Sequence, residues 1–196
     1  IQYFGLSKIF TKFILSKLPF DYKVWAKIGL FRHGAMDDFS YAWEVLKNHT
    51  SKLNINKNWK GLELGPGDAV LSSLLAPALG SAGLTLVDSG DYAHKDMILY
   101  KNQIMSFKKS YPDLNLPNIV FEKDINAMLS CVNGVYMPKG LLSLNTISEL
   151  SFDLVFSQAV LEHVRRHEFE ETMKQCYRLL KPDGIMSHVI DFKDHL

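Results

Sequence analysis

Short apolar runs alternate with longer amphipathic segments over residues 61–191. The apolar runs predict buried strands at residues 61–64, 84–88, 118–122, 152–157 and 185–191. Strands that alternate with helices predict a parallel sheet with helices on both faces, which is an α/β fold. In such a sheet, ligands bind at the carboxyl ends of the strands.

Between these runs, apolar residues recur at helical spacing. One helix is predicted over residues 69–75 and another over residues 94–110. A third helix has its apolar positions at Phe169, Met173, Cys176, Tyr177 and Leu180. The proline–glycine turn at residues 180–184 closes that helix. Residues 127–150 show no clear period, and we interpret them as an insertion near the ligand site.

Two more helices are predicted ahead of the first strand. Residues 6–18 have an apolar face and a basic, polar face. A basic amphipathic helix either packs as a lid or makes weak contact with a membrane surface, and the pattern leaves both open. Asp37 or Asp38 is expected to cap a second helix that runs to about His49.

Length and composition fit this organisation. With 196 residues, 47% of them hydrophobic, the chain can bury a core, which excludes a disordered chain. We divide it into an N-terminal helical cap, residues 1–53, and an α/β core, residues 54–196. The net charge of +1 without long runs of like charge predicts no nucleic-acid partner. Cys131 and Cys176 form no C-x-x-C pair, which favours reduced packing residues in a cytoplasmic protein.

The junction after the first strand, residues 61–68, carries the first candidate chemistry. Gly65 and Gly67 allow a turn that a ligand can approach closely. The dinucleotide fingerprint would have a third glycine where this chain has Val70. The carboxylate of Asp68 would also repel a pyrophosphate. The turn therefore favours a ligand with a ribose and an amine but no phosphate.

Residues 63–68, E-L-G-P-G-D, resemble motif I of the class I S-adenosylmethionine (SAM)-dependent methyltransferases. Residues 152–164 are similar to the family's segment around strand four, and residues 180–184 are similar to its turn before strand five. Asp88 follows the second strand about 20 residues beyond the glycine turn, as the ribose-binding acid of Rossmann-like folds does. The resemblance covers residues 60–191 and implies a Rossmann-like parallel sheet with SAM as cofactor.

The resemblance also implies roles for individual residues. Asp88 would accept hydrogen bonds from both ribose hydroxyls, although it could instead cap the next helix. Asp124 would accept from the adenine amino group with Ile125 packed on the ring, although a turn or cap role for Asp124 is equally open. The complete set of expected cofactor-binding residues is Glu63, Gly65, Pro66, Gly67, Asp68, Asp88, Ser89, Asp124, Ile125, Ser157 and Gln158.

As function, the resemblance implies methyl transfer from SAM to a small-molecule or glycan acceptor, at oxygen rather than nitrogen or carbon. Positioning promotes the displacement itself, but a hydroxyl acceptor also needs a general base. The candidates are His163, Asp191 and His195, with His188 as a further option, and a structural role is the alternative for each histidine. Residues 191–195 could hold a divalent metal, but they offer no complete ligand set, so no metal is expected.

Two other functions stay open. The chain could be a SAM-binding module without transferase activity, or it could be a nicotinamide-dependent oxidoreductase. Val70 at the position of the third glycine, and the acids Glu63 and Asp68 around the turn, argue against the oxidoreductase. The family usually adds a helix and an antiparallel hairpin after strand five. This sequence lacks them, so we expect strand five at an edge of the sheet and a chain truncated at its C-terminus.

Overall fold

The computed structural model describes residues 35–51, 58–121 and 123–192. The chain divides into two compact units, and the helices and strands described below lie in the unit Gly34–Asp191. Its strands are β1 (Trp59–Leu64), β2 (Ser81–Val87), β3 (Val135–Met137), β4 (Phe152–Gln158) and β5 (Leu180–Val189). They form a five-stranded parallel sheet in the order β3-β2-β1-β4-β5. The order reverses between β1 and β4, as in Rossmann-like folds, so the predicted fold class is confirmed.

Helices cover both faces of the sheet. They are α1 (Phe39–Thr50), α2 (Leu71–Leu75), α3 (Met97–Ser110), α4 (Ile125–Ser130), α5 (Leu141–Thr146) and α6 (Arg166–Leu179). Helices α1 to α4 pack in a cluster that includes Phe156, and α5 and α6 pack in a second cluster that includes Val155. Neighbouring strand residues point to opposite faces, and because helices cover both faces, the central strands β1 and β4 are buried at most of their positions.

Helix α1 begins where the sequence predicts. The carboxylate of Asp38 accepts hydrogen bonds from the backbone amides of Ser40 and Tyr41, so Asp38 is the N-cap. Trp43 is buried and lies edge-on to Phe107 of α3, with ring centroids 5.0 Å apart. Helix α1 thus shares its core with the sheet. The cap division at residue 53 stays a prediction, because the helix predicted over residues 6–18 lies outside the described residues.

The third strand differs from the prediction. Residues 118–121 form no strand, and β3 is instead Val135–Met137, in which Met137 pairs with Val87 of β2. Ile119 is still buried, 7% exposed, in the first hydrophobic cluster. The apolar run therefore reflects burial without strand pairing, which periodicity alone does not separate from a strand. The stretch interpreted as an insertion contains β3 and α5.

Several helices and strands begin at residues other than the predicted ones. Strand β2 begins at Ser81, and the helix after β1 begins at Leu71 and continues as a 3₁₀ turn over Ala76–Leu79. Helix α3 begins at Met97 because Asp96 caps it through the amide of Ile98.

Two predictions near the C-terminal end need correction. Within β5, Leu180 pairs with Phe152 and Ile185 with Leu154, so the predicted turn at residues 180–184 is a bulge inside the strand. On α6, the buried residues are Thr172, Cys176 and Leu179, whereas Tyr177 is 75% exposed. The buried face of α6 therefore differs from the apolar face that the sequence predicts. Strand β5 lies at an edge of the sheet that the described residues form.

Candidate functional site

A cavity of about 490 Å³ opens at the carboxyl ends of β1, β2 and β3. Its walls come from the turn after β1, the end of β2, the start of α5, the segment after β4, and one side of α6. The volume lies in the range of small-molecule and cofactor sites. The cavity also lies at the point where the strand order reverses, which is the usual ligand site of this fold.

The glycine turn is tied to the end of β2 through Asp88. The amide of Gly67 donates to Oδ2 of Asp88 at 3.1 Å, and the amide of Ser89 donates to Oδ1 at 2.7 Å. Gly65 and Gly67 have φ values of +65° and +71°, which favour glycine. Asp88, Ser89 and Gly65 all line the cavity. The structure thus brings these three predicted residues together at one cavity, and their role in binding a cofactor stays a prediction.

Asp88 is 7% exposed, and burial raises the pKa of its carboxyl group, while the bonds from Gly67 and Ser89 oppose that shift. Asp88 caps no helix among the described residues, because Asp96 caps α3. The capping alternative is therefore wrong for Asp88. Its carboxylate holds the turn and faces the cavity, where it can accept further hydrogen bonds from a ligand.

Glu63 lies under the turn rather than in the cavity wall. It is 1% exposed, and the hydroxyl of Ser72 on α2 donates to its Oε2. Burial raises the pKa of Glu63 to about 7, and the charge of Asp88 adds to this shift. The side chain of Glu63 is therefore held against α2, away from the cavity. The backbone carbonyl of Asp68 accepts a hydrogen bond from the amide of His94 at 2.7 Å, which ties the glycine turn to the segment ahead of α3.

The expected adenine-binding pair does not reach the cavity. The carboxylate of Asp124 accepts from the amide of Ala127 at 2.8 Å and caps α4, which confirms the competing interpretation for this residue. Ile125 is buried in the first hydrophobic cluster. In their place, Lys139 and Gly140 line the cavity just after β3. The sequence reasoning missed these two residues because it placed the third strand elsewhere.

The residues at the end of β4 lie in a polar cluster with two histidines. Ser157 Oγ is 2.8 Å from Nδ1 of His188 on β5, and Gln158 Oε1 is 3.3 Å from Nε2 of His49 on α1. Nδ1 of His49 is 2.8 Å from Oγ of Ser187. The sequence analysis missed His49. The available signal was its place on the buried face of α1, near Val45 and Leu46.

The candidate bases lie in different surroundings. His163 lines the cavity from a 3₁₀ turn over Leu161–His163. The amide of Asp191 donates to Oε1 of Glu162 at 3.3 Å, beyond the end of β5. Burial, and secondarily the charge of His49, lowers the pKa of His188. His195 lies outside the described residues.

Two features concern ions and membranes. The described residues contain no group of three or more histidine, cysteine or acidic side chains that could hold a metal ion. Among the helices of the described ranges, none is both long and apolar enough to cross a membrane.

Residues 120–187 match the model of a protein family described as a methyltransferase domain. No curated protein matches the sequence. The matched segment runs through β3, β4 and α6 into β5, and therefore includes one wall of the cavity.

Solved structures give a second comparison. A chain from a Haloferax volcanii complex with the Trm112 methyltransferase activator is 14% identical, with a TM-score of 0.52, and the alignment covers 89% of this chain and 62% of that one. The 1,6-didemethyltoxoflavin-N1-methyltransferase of Burkholderia thailandensis is 13% identical, with a TM-score of 0.47 and coverages of 80% and 53%. Phosphoethanolamine N-methyltransferase 1 of Haemonchus contortus is 15% identical, with a TM-score of 0.44 and coverages of 78% and 27%.

The chain thus spans about half of the Burkholderia structure and about a quarter of the Haemonchus one. At these identities the structural likeness concerns the fold alone. The Haloferax structure shares the fold, and the family model matches a methyltransferase domain over residues 120–187; both agree with the resemblance that the sequence motifs indicate.

Proposed function

We propose that this chain is the SAM-binding part of a methyltransferase that transfers a methyl group to oxygen of a small-molecule or glycan acceptor. The observation that carries the proposal is the bond between Asp88 and the amide of Gly67 at the edge of a cavity of about 490 Å³. The methyltransferase-domain model matched by residues 120–187 supports the same function.

The residues around the cavity fit SAM better than a phosphate-bearing cofactor. Asp88 would hold the ribose hydroxyls, because its carboxylate lies at the end of β2 and can accept from a diol. Asp68 follows the second glycine of the turn, so a pyrophosphate bound there would meet a carboxylate beside its oxygens. A side chain at Gly65 would collide with Val160, at 2.6 Å from its Cβ, so the turn needs a glycine there. Lys139 and Gly140 would border the base.

SAM supplies an electrophilic methyl group when it is bound. The chain would contribute orientation, exclusion of water, and a proton acceptor for the hydroxyl of the acceptor. We assign that proton to a ring nitrogen of His163, because His163 lines the same cavity as Asp88 and Gly65. Asp191 and His195 stay as further candidates in this proposal.

The proposal is tested by incubating the protein with SAM labelled in its methyl group and a panel of hydroxyl-bearing small molecules and glycans. We expect label in an acid-stable methyl ether. His163→Gln should slow that transfer by about 10²- to 10⁴-fold at unchanged SAM affinity. Label on nitrogen or carbon would contradict oxygen as the site of methylation. Binding of SAM without any transfer would favour the non-catalytic module.

A further inference from the structure

The loop after β2 carries two of the residues that line the cavity. Residues 88–96 form neither helix nor strand, and the first two of them, Asp88 and Ser89, lie in the cavity wall. A loop of this kind has no ladder or helix to satisfy its backbone groups, so side chains from neighbouring elements must bond to it. The direction of the Asp88 carboxylate therefore depends on the contacts that hold this loop.

Tyr136 of β3 bonds to the middle of the loop. Its hydroxyl donates to the carbonyl of Gly90 at 3.0 Å and accepts from the amide of Tyr92 at 3.1 Å, while the amide of Ala93 lies 3.5 Å from the same oxygen. Burial raises the pKa of Tyr136 to about 12. The hydroxyl thus keeps its proton at neutral pH and can donate to Gly90.

Asp88 holds the part of the loop that comes just before these contacts. Its Oδ1 accepts from the amide of Ser89 at 2.7 Å, and the amide of Gly90 helps to oppose the rise in pKa that burial causes in this carboxyl group. Asp88 thus contacts the first two peptide groups of the loop, and Tyr136 contacts the next two. Because each peptide group is planar, the two sets of contacts constrain each other through residue 90.

The loop packs closely around the hydroxyl of Tyr136. A Cβ at Gly90 would lie 2.6 Å from the ring of Tyr92, so that ring covers the backbone at Gly90. The ring of Tyr136 packs against the first hydrophobic cluster, and Nζ of Lys95 lies 5.7 Å from its centroid. A phenylalanine at this position would keep these ring contacts. The hydroxyl is therefore the group that ties the loop to β3.

We propose that Tyr136 is a positioning residue, whose hydroxyl holds the loop after β2 so that the carboxylate of Asp88 meets the ribose hydroxyls of the cofactor. Tyr136 is absent from the described residues that line the cavity, so it acts through the loop. This inference rests on the proposed function. It predicts that the loss of the hydroxyl weakens ligands through their ribose hydroxyls and leaves the rest of the binding unchanged.

Calorimetric titration with S-adenosylhomocysteine (SAH) and its 2′,3′-dideoxy analogue tests this role, because the two ligands differ only in the ribose hydroxyls. The wild-type chain should bind SAH about 10- to 100-fold more tightly, since the analogue cannot donate to the charged carboxylate. Tyr136→Phe keeps the ring and removes the hydroxyl. We expect it to weaken SAH by about three- to tenfold and to leave the affinity for the analogue within about twofold of wild type.

Tyr100→Phe is the matched control. It makes the same chemical change in a tyrosine of α3 whose hydroxyl donates to the carbonyl of His94 at 3.0 Å, near the other end of the same loop. This variant should lower stability and leave the preference for SAH over the analogue unchanged. If Tyr136→Phe does not fold, Tyr136→Leu replaces it, because it also lacks the hydroxyl and should give the same loss specific to SAH.

Equal weakening of both ligands in Tyr136→Phe, or an unchanged SAH affinity in that variant, would overturn the positioning role. The same loss of preference in Tyr100→Phe would overturn it as well. A wild-type chain that binds SAH and the analogue equally well would also overturn it, because Asp88 would then make no contact with the ribose, while SAH binding would leave the cofactor assignment intact. A wild-type chain that binds neither ligand would refute the proposed function itself.

Discussion

Asp88 holds the glycine turn with both oxygens of its carboxylate. In Asp88→Asn, the amide nitrogen would face one of the two backbone donors, from Gly67 or Ser89, and leave it without an acceptor. We expect SAH affinity to fall by about 10- to 100-fold, which corresponds to the loss of a charge-assisted hydrogen bond. Isothermal titration of the purified variant measures this change.

Asp91→Asn is the control for that change. Asp91 lies three residues further along, is exposed, and pairs with Lys95 on the surface. Its substitution should leave SAH affinity within about twofold of wild type, because exposed ion pairs contribute little. Equal losses in both variants would indicate a general disturbance of the loop after β2 rather than a ligand contact by Asp88.

Glu63 makes the stability of the domain depend on pH. Its pKa rises from 4.5 to about 7 on folding, so the folded state keeps a proton that the unfolded state has released. The contribution of protonated Glu63 to the stability of the fold is complete below pH 4.5 and is lost as pH rises through about 7. A shift of this size corresponds to about 3 kcal/mol.

Glu63→Gln removes this titration and can still accept from the hydroxyl of Ser72. Urea unfolding at pH 4.5 and pH 8 should show the variant gaining about 3 kcal/mol relative to wild type between the two values. A difference between variant and wild type that stays constant with pH would show that Glu63 does not keep its proton in the folded state.

Single residues differ in how well sequence reveals their surroundings. Asp88 could be placed because a long buried run fixes the end of β2 and a ribose-binding acid has a known separation from the glycine turn. Asp124 could not be placed, because Asp is equally favoured as a helix N-cap. In the structure its carboxylate accepts from the amide of Ala127, so Asp124 caps α4. His49 stayed hidden since nothing in the sequence links α1 to the end of β4.

At the level of elements, strands with two neighbours were predictable and the short edge strand was not. β1 and β4 are buried at most of their positions, on both faces of the sheet, and each contains a short apolar segment. β3 has three residues, too few for any period, and follows the turn at Asn133 and Gly134. The apolar run at residues 119–121 is easily mistaken for this strand. Of its residues, Ile119 is buried and Phe121 is half-buried, but none belongs to the sheet.

Helix α5 forms one wall of the cavity and depends on α6 for its position. Arg178 of α6 donates from Nη2 to the carbonyl of Leu144 and from Nη1 to that of Ile147, both at 3.0 Å. The carbonyl of Leu144 also accepts from the amide of Ile147 at 3.2 Å, and the carbonyl of Ile147 lies just beyond the last turn of α5. Arg178 therefore fixes the C-terminal end of a wall of the ligand site.

Arg178→Ala should loosen that end. We expect faster amide hydrogen exchange over residues 141–147 and little change in β4, with SAH affinity reduced by less than in Asp88→Asn. Lys174→Ala on the same helix removes only the exposed ion pair with Glu170 and should alter neither. Unchanged exchange in α5 of the Arg178 variant would show that the guanidinium contacts do not hold this helix.

At the level of the whole molecule, the strand order brings distant motifs to one edge of the sheet. The chain leaves β1 toward β2 and β3, then crosses to β4 and β5, so the turn after β1 faces the segment after β4. The alternation of strands and helices together with right-handed crossovers restricts the topology to few choices, which is why the fold class followed from sequence. The side-chain contacts across that edge depend on three-dimensional packing and could not be predicted from the sequence.

The central claim is that the cavity beside Asp88 binds SAM. Calorimetric titration of the wild-type chain with SAH and, separately, with NAD tests it most directly. We predict that SAH binds with one ligand per chain and that NAD gives no binding heat, because the acidic groups at the turn disfavour a pyrophosphate. Binding of NAD, or no binding of SAH by the folded chain, would contradict the claim.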